Sequence, residues 1–190
     1  MSKLSNNIIN GITIYRIAAA PLLFVLIFTG KIELFKWLLA VSFFTDFIDG
    51  YLARKYKVTS ILGSRLDSIG DDLTVLAAFV GLIVFKREFF REELIALIIL
   101  FALFIVQNIF AIVRYRKITS FHTYLAKTAA ILQGLFFIQM FLLPQPFYFL
   151  FYAAAFVTGI ELIEETLIVI ALPTWEANVK GLYWVLKRKK

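Results

Sequence analysis

At 190 residues, with 61% hydrophobic side chains, 17% aromatic residues and a mean hydropathy of +0.84, the chain is too apolar for an ordinary water-soluble domain and belongs in a bilayer. Cysteine is absent, which excludes disulfides, thiolate nucleophiles and cysteine metal sites and leaves any chemistry to oxygen and nitrogen groups. The net charge of +7 comes mainly from basic connections and the tail Lys187, Arg188, Lys189 and Lys190, which beside hydrophobic stretches face anionic lipid headgroups rather than nucleic acid.

A bilayer core takes about 20 apolar residues per helical span. In chain order the candidate stretches are Ile12 to Phe28, Leu34 to Phe47, Val75 to Phe85, Leu94 to Val113, Tyr124 to Leu143 and Phe147 to Leu172. The expected fold is all-α, a single polytopic bundle of about six transmembrane helices over residues 1–190, with Met1 to Asn10 lying along the interface. The first stretch contains Arg16 and Pro21 and is followed by no small-residue cleavage site, so it is expected to remain in the mature protein. Thr29-Gly30, Pro144 to Pro146 and Pro173-Thr174 read as interhelical turns. With six spans, Lys3, the connection holding Arg54, Lys55, Lys57 and Arg65, the connection holding Arg114, Arg116 and Lys117, and the basic tail fall on one side. The bias of basic residues towards the cytoplasm then puts both termini there, although Lys86, Arg87 and Arg91 fall on the opposite side.

Between the second and third stretches a polar segment keeps helical spacing, which predicts two helices continuing past the hydrocarbon. It reads DFIDGYLARKYKVTSILGSRLDSIGDD from Asp46. Asp46 and Asp49 are three apart and Asp67 and Asp71 four apart, so each pair shares a helix face. Two antiparallel helices can converge all four carboxylates on one pocket. Ionisable groups near hydrocarbon are costly and usually functional, and four anions together need compensating cations or protons. Hard oxygen ligands suit magnesium or manganese, and two such ions bridge a diphosphate. Gly50, Ala53 and Gly63 remove side-chain bulk one turn from the aspartates, and Arg54 adds a cationic fork for phosphate oxygens. The plainer reading, carboxylates capping helices or pairing with Arg54, Lys55, Lys57 and Arg65 at the water boundary, does not require the interleaved small residues.

The segment resembles the signature of the CDP-alcohol phosphatidyltransferase family: DGxxAR, then GxxxDxxxD, with a further Asp three residues before the first. Every signature position is filled. The resemblance implies that Asp46, Asp49, Asp67 and Asp71 bind two Mg2+ or Mn2+ ions, that Asp71 is also the base that deprotonates an acceptor hydroxyl, and that Gly50, Ala53, Arg54 and Gly63 hold the CDP moiety. It further implies an enzyme of the cell (inner) membrane with its active site towards the cytoplasm. Such an enzyme transfers a phosphatidyl group from CDP-diacylglycerol to an alcohol, releases CMP and works as a homodimer among membrane lipids. The opening NIINGITIYRIAAAP is similar to the NxPNxLTxxRxxxxP start of the glycerophosphate and cardiolipin branches, with Ile9 and Ile12 in place of Pro and Leu. It implies that Asn10, Thr13 and Arg16 line the nucleotide side, while capping of the first helix is the other reading of Asn10 and Thr13.

On the acceptor side, Arg114, Arg116, Lys117, His122 and Lys127 gather around one connection, and for Arg116 and Lys117 a positive-inside loop touching lipid phosphates is the preferred reading. Lys127-Thr128 resembles part of the GKxKTxxQ region of glycerophosphate synthases, with Leu125 in place of the first Lys and Gln133 two residues late. Arg114 and Lys127 are thus the expected acceptor-binding residues and glycerol 3-phosphate the expected acceptor. Asp72, where those synthases carry Lys, keeps phosphatidylglycerol, inositol phosphates and amino alcohols open. A membrane ion-binding or transport protein is the rival class. Glu161, Glu164 and Glu165 in the last stretch leave two readings, pairing with basic groups or an outward-facing polar cavity.

Overall fold

The computed structural model describes residues 15, 18–56, 61–117, 121, 123–176 and 179–188, with the side chains of 47, 49–56 and 61–69 outside the description. Among the described residues the chain is all-helical: α1 (Ala18–Phe28), α2 (Ile32–Tyr56), α3 (Ile61–Phe85), α4 (Arg87–Glu92), α5 (Leu94–Tyr115), α6 (Tyr124–Leu142), α7 (Tyr148–Ala171) and α8 (Leu182–Arg188). Two of them, α5 and α6, are long and apolar enough by composition alone to cross a membrane, while α1 is a shorter apolar helix. The helices α2, α3 and α7 are longer still and carry acidic residues within them, Asp46 and Asp49, Asp67, Asp71 and Asp72, and Glu161, Glu164 and Glu165. Large apolar side chains face outward on successive helices, among them Phe28, Trp37, Phe44, Ile95, Phe101, Val113 and Phe156, the reverse of a water-soluble surface.

The helices pack as two compact units, residues 1–90 with 137–144, and residues 91–136 with 145–190. In the first unit α1 ends in a Schellman turn, where the Gly30 N–H donates to the Ile27 carbonyl (3.1 Å) and the Lys31 N–H to the Leu26 carbonyl (2.9 Å). The helices α2 and α3 pack on each other as a hairpin joined by residues 57–60. Phe35 is fully buried against Phe85 (ring centroids 5.4 Å) and Phe141 (5.0 Å), and its ring lies over the bare Cα of Gly81. Leu39, Ala77, Ala78 and Leu82 are also fully buried in this unit.

The second unit is organised by α7, which packs on α5 and on α8. At one end Ala111, Phe121, Ile168, Val169, Leu172, Val179 and Val185 form a small core flanked by Tyr115 and Leu182. Polar bonds bind the helices where the surroundings are apolar: Gln107 donates to Glu165 (3.0 Å) and Gln133 to Thr158 (2.8 Å). At the opposite end of α7 the hydroxyls of Tyr148 and Tyr152 donate to Glu92 (2.6 Å) and Glu93 (2.7 Å).

A Cβ on residue 81 would stand 2.5 Å from Phe35 Cζ and 3.3 Å from Phe141, whereas one on residue 159 would meet nothing closer than 3.8 Å. Phe35 is enclosed on both sides and cannot yield. Gly81→Leu is therefore expected to destabilise the detergent-solubilised protein by about 1–3 kcal/mol, seen as a lowered Tm, while Gly159→Ala leaves Tm unchanged or slightly raised.

Candidate active site

The packed face of α2 runs through Phe35, Leu39 and Ser42, all buried, and the helical repeat carries it on to Asp46 and residues 49, 50 and 53. The facing row on α3 runs back from Gly81 through Ala78 and Thr74 to Gly70 and Asp71, and the repeat continues it to residues 67 and 63. The contact of Phe35 with Gly81 sets the register between the two helices. Counting towards the connection, Asp46 stands ten residues before the end of α2 (46 to 56) and Asp71 ten residues after the start of α3 (61 to 71). These positions have equal depth in the hairpin, about 15 Å from the helix ends at 1.5 Å per residue. Asp49 and Asp67 fall together one turn nearer the ends, at seven (49 to 56) and six (61 to 67) residues.

The side chains of Asp46 and Asp71 are half-buried, and that of Asp72 is exposed. The charge reversal at Asp72 thus lies off the packed row that carries Asp71. One layer deeper, Ser42 and Thr74 are 1% and 2% exposed, and their hydroxyls donate to the carbonyls of Leu38 (2.8 Å) and Gly70 (2.8 Å) in their own helices. The Thr45 hydroxyl likewise donates to the Ser42 carbonyl (2.9 Å). Polar but self-satisfied residues therefore separate the aspartate layer from the aromatic core.

Asp49, Gly50, Ala53, Arg54, Gly63 and Asp67 lie on α2 and α3, but their side chains are outside the description. Asn10, Thr13, Arg16 and His122 lie outside the described residues. Among the described residues no group of three or more carboxylates or imidazoles that could hold a metal ion is assembled. The donor chemistry nevertheless fits hard divalent cations: carboxylates at matched depth on facing helices, in a chain with no thiol to favour a softer metal.

Arg114 and Lys127 belong to the second unit, and both are exposed. The Arg114 Nε donates to the Leu172 carbonyl (3.0 Å), closing the end of α7 together with the Tyr115 hydroxyl, which donates to the same carbonyl (2.9 Å). Lys127 Nζ lies 5.7 Å from the centre of the Tyr124 ring.

The profile of CDP-alcohol phosphatidyltransferase matches residues 6–172, both units included. The chain belongs to the CDP-alcohol phosphatidyltransferase family. It is similar to the CDP-diacylglycerol–glycerol-3-phosphate 3-phosphatidyltransferase of Rickettsia bellii (strain RML369-C), 35% identical over 135 residues, 69% of this chain and 72% of that enzyme. The enzyme of the same name from Rickettsia prowazekii (strain Madrid E) is 30% identical over 134 residues, with the same coverage of 69% and 72%. That from Haemophilus influenzae is 38% identical over 82 residues, 41% of this chain and 44% of that enzyme. No solved structure matches. Membership makes the chain an enzyme of phosphatidyl transfer, and the ion-transport alternative gives way.

Sequence reasoning missed the partners of the glutamates on α7. Glu165 accepts from Gln107 Nε2 (3.0 Å) and from the Phe121 N–H (3.3 Å), and Glu164 accepts from the Leu182 N–H (3.0 Å). Glu161 in turn shares a hydrogen bond with Glu165. The partners of these glutamates are thus amides and a neighbouring carboxyl rather than basic groups, and backbone amides leave no mark in sequence spacing.

Because the chain has no natural cysteine, the hairpin register can be tested by crosslinking. Cysteines at Ser42 and Thr74, buried and at matching depth, are expected to join through a short bifunctional methanethiosulfonate. Cysteines at Val41 and Leu76, which are exposed, are expected to stay monomeric and unlinked on a mobility-shift gel.

Proposed function

We propose that the chain is a two-metal phosphatidylglycerophosphate synthase: it transfers the phosphatidyl group of CDP-diacylglycerol to glycerol 3-phosphate and releases CMP. The reading is carried by the complete aspartate motif standing at matched depth on α2 and α3. It is supported by the relatives, which are named for glycerol 3-phosphate as acceptor. In this reading residues 1–190 are one catalytic domain of six spans, α1, α2, α3, α5, α6 and α7, in a cell (inner) membrane. Both termini and the aspartates face the cytoplasm, the side favoured by the basic connections. The enzyme works as a homodimer.

Asp46, Asp49, Asp67 and Asp71 would hold two Mg2+ or Mn2+ ions, and such ions neutralise the charge of the diphosphate and of the departing CMP. Gly50, Ala53 and Gly63 leave the helix backbones open to the nucleotide. Arg54 donates to its phosphate oxygens, and Asn10, Thr13 and Arg16 line its side of the pocket. Asp71 accepts the proton of the acceptor hydroxyl. The acceptor oxygen then bonds to the phosphorus that carries diacylglycerol, and the bond from that phosphorus to the bridging oxygen breaks to free CMP. Holding the two substrates in one geometry supplies most of the rate. Lys127 and Arg114 bind the dianionic phosphate of the acceptor, each charge-assisted contact contributing about 1.5–3 kcal/mol.

Asp46→Asn, Asp49→Asn and Asp67→Asn are each expected to abolish CMP release while leaving Tm near that of the wild type, and near-normal turnover in any one overturns the metal assignment. Chelation is expected to stop the wild-type reaction, with Mg2+ or Mn2+ restoring it and Ca2+ doing so poorly. Asp71→Asn is expected to lower kcat more than donor affinity, and Arg54→Ala to weaken the donor instead.

The acceptor is tested by measuring CMP release from CDP-diacylglycerol with one candidate alcohol at a time. Glycerol 3-phosphate is expected to stimulate most, and Lys127→Ala to raise its KM about tenfold with little change in the donor KM. Greater stimulation by serine, ethanolamine, choline, an inositol phosphate or phosphatidylglycerol overturns the acceptor and leaves the family intact.

A further inference from the structure

Two neighbouring glutamates inside a long apolar helix need a reason, because each charge held away from water is costly unless bonded. Adjacent helix positions point about 100° apart, so Glu164 and Glu165 reach different segments of the second unit. Glu165, 5% exposed, takes the Phe121 N–H just before α6 and the Gln107 amide on α5. Glu164 takes the Leu182 N–H at the start of α8. Access to that amide depends on Gly181, which has φ +152°: a Cβ there would stand 3.0 Å from Glu164 Oε1 and 3.2 Å from the Trp184 ring.

The two held segments then meet each other. The Tyr124 N–H donates to the Lys180 carbonyl (3.2 Å), and the Tyr124 and Trp184 rings pack with centroids 5.5 Å apart. Fully buried Thr123 caps α6, its hydroxyl accepting the Ala126 N–H (3.0 Å) and its carbonyl the Lys127 N–H (3.1 Å). Lys127 stands one turn into this helix, with its ammonium over the Tyr124 ring. The contacts form a closed circuit: α7, Phe121, Tyr124, the Lys180–Trp184 segment and back to α7.

We infer that Glu164 and Glu165 are positioning residues for the acceptor, a paired clamp on two backbone N–H groups that fixes the Tyr124–Trp184 platform under Lys127. The inference rests on the reading of Lys127 as an acceptor cation and adds how that cation is held in place. Neither glutamate touches substrate. Each acts through the segment whose amide it holds.

Glu165→Ala, Glu165→Gln and Trp184→Leu, alone and combined with Lys127→Ala, test the clamp in full-length protein. Glu165→Ala and Trp184→Leu are each expected to raise the glycerol 3-phosphate KM about five- to tenfold, with the CDP-diacylglycerol KM within about twofold of wild type. Glu165→Gln still offers an acceptor to Phe121 and, with the Gln107 amide turned over, keeps the second bond, so it is expected to behave nearly as wild type. In the Lys127→Ala background neither Glu165→Ala nor Trp184→Leu adds a further rise, because the group they position is gone. Trp184 is partly exposed, so its replacement still reports if Glu165→Ala does not fold. Hydrogen exchange of the amides from Phe121 to Thr128 gives a readout independent of activity and is expected to quicken in both variants. Unchanged exchange overturns the clamp. Faster exchange with equal rises in both KM values, or with effects that multiply with Lys127→Ala, overturns its role in acceptor binding. An unchanged acceptor KM in Lys127→Ala alone instead overturns the acceptor reading, and exchange still decides the clamp.

Discussion

Carboxylates on two different helices can act together only if the helices keep one register, and in this hairpin the register depends on the close approach of Phe35 to Gly81. The aromatic ring occupies the space a side chain would fill, with Phe85 and Phe141 closing it in. Sliding one helix by a turn would drive the ring into a neighbouring side chain and shift the aspartate levels by about 5.4 Å. An apolar contact at the deep end of the hairpin thereby governs the alignment of charged positions near its connected end.

Between those ends lies a graded sequence of environments. Phe35 and Leu82 are fully buried and apolar, Ser42 and Thr74 are buried and hydroxylic, and Asp46 and Asp71 are half-buried and acidic. The hydroxyl layer spends its donors on its own helices, so polarity rises towards the aspartates without an unpaired hydroxyl in the apolar core. This gradient suits a reaction whose donor has its acyl chains in lipid and its nucleotide in water.

The second unit meets the same cost of polar groups by another route. Its buried carboxylates are bonded, Glu165 to amides and Glu93 to the Tyr152 hydroxyl, and its helix ends are closed by side chains: Arg114 and Tyr115 on the last carbonyls of α7, and Thr123 at the start of α6. Polar bonds hold both ends of α7, with the Gln133–Thr158 bond between them.

Helix extents were legible from the sequence because hydropathy and helical spacing are local. The stretches read as Leu94 to Val113, Tyr124 to Leu143 and Phe147 to Leu172 differ by no more than two residues at either end from α5, α6 and α7. The family was legible too, since its motif packs eight positions into a segment short enough for spacing alone to identify it. The short helices α4 and α8 were missed because six or seven residues show too little periodicity to separate helix from loop. Also beyond the sequence were the need for glycine at residues 81 and 181, the outward turn of Asp72, and the amides held by Glu164 and Glu165. Each depends on groups far apart in the chain, or on the direction a side chain takes once helices pack, and only tertiary structure brings such partners together.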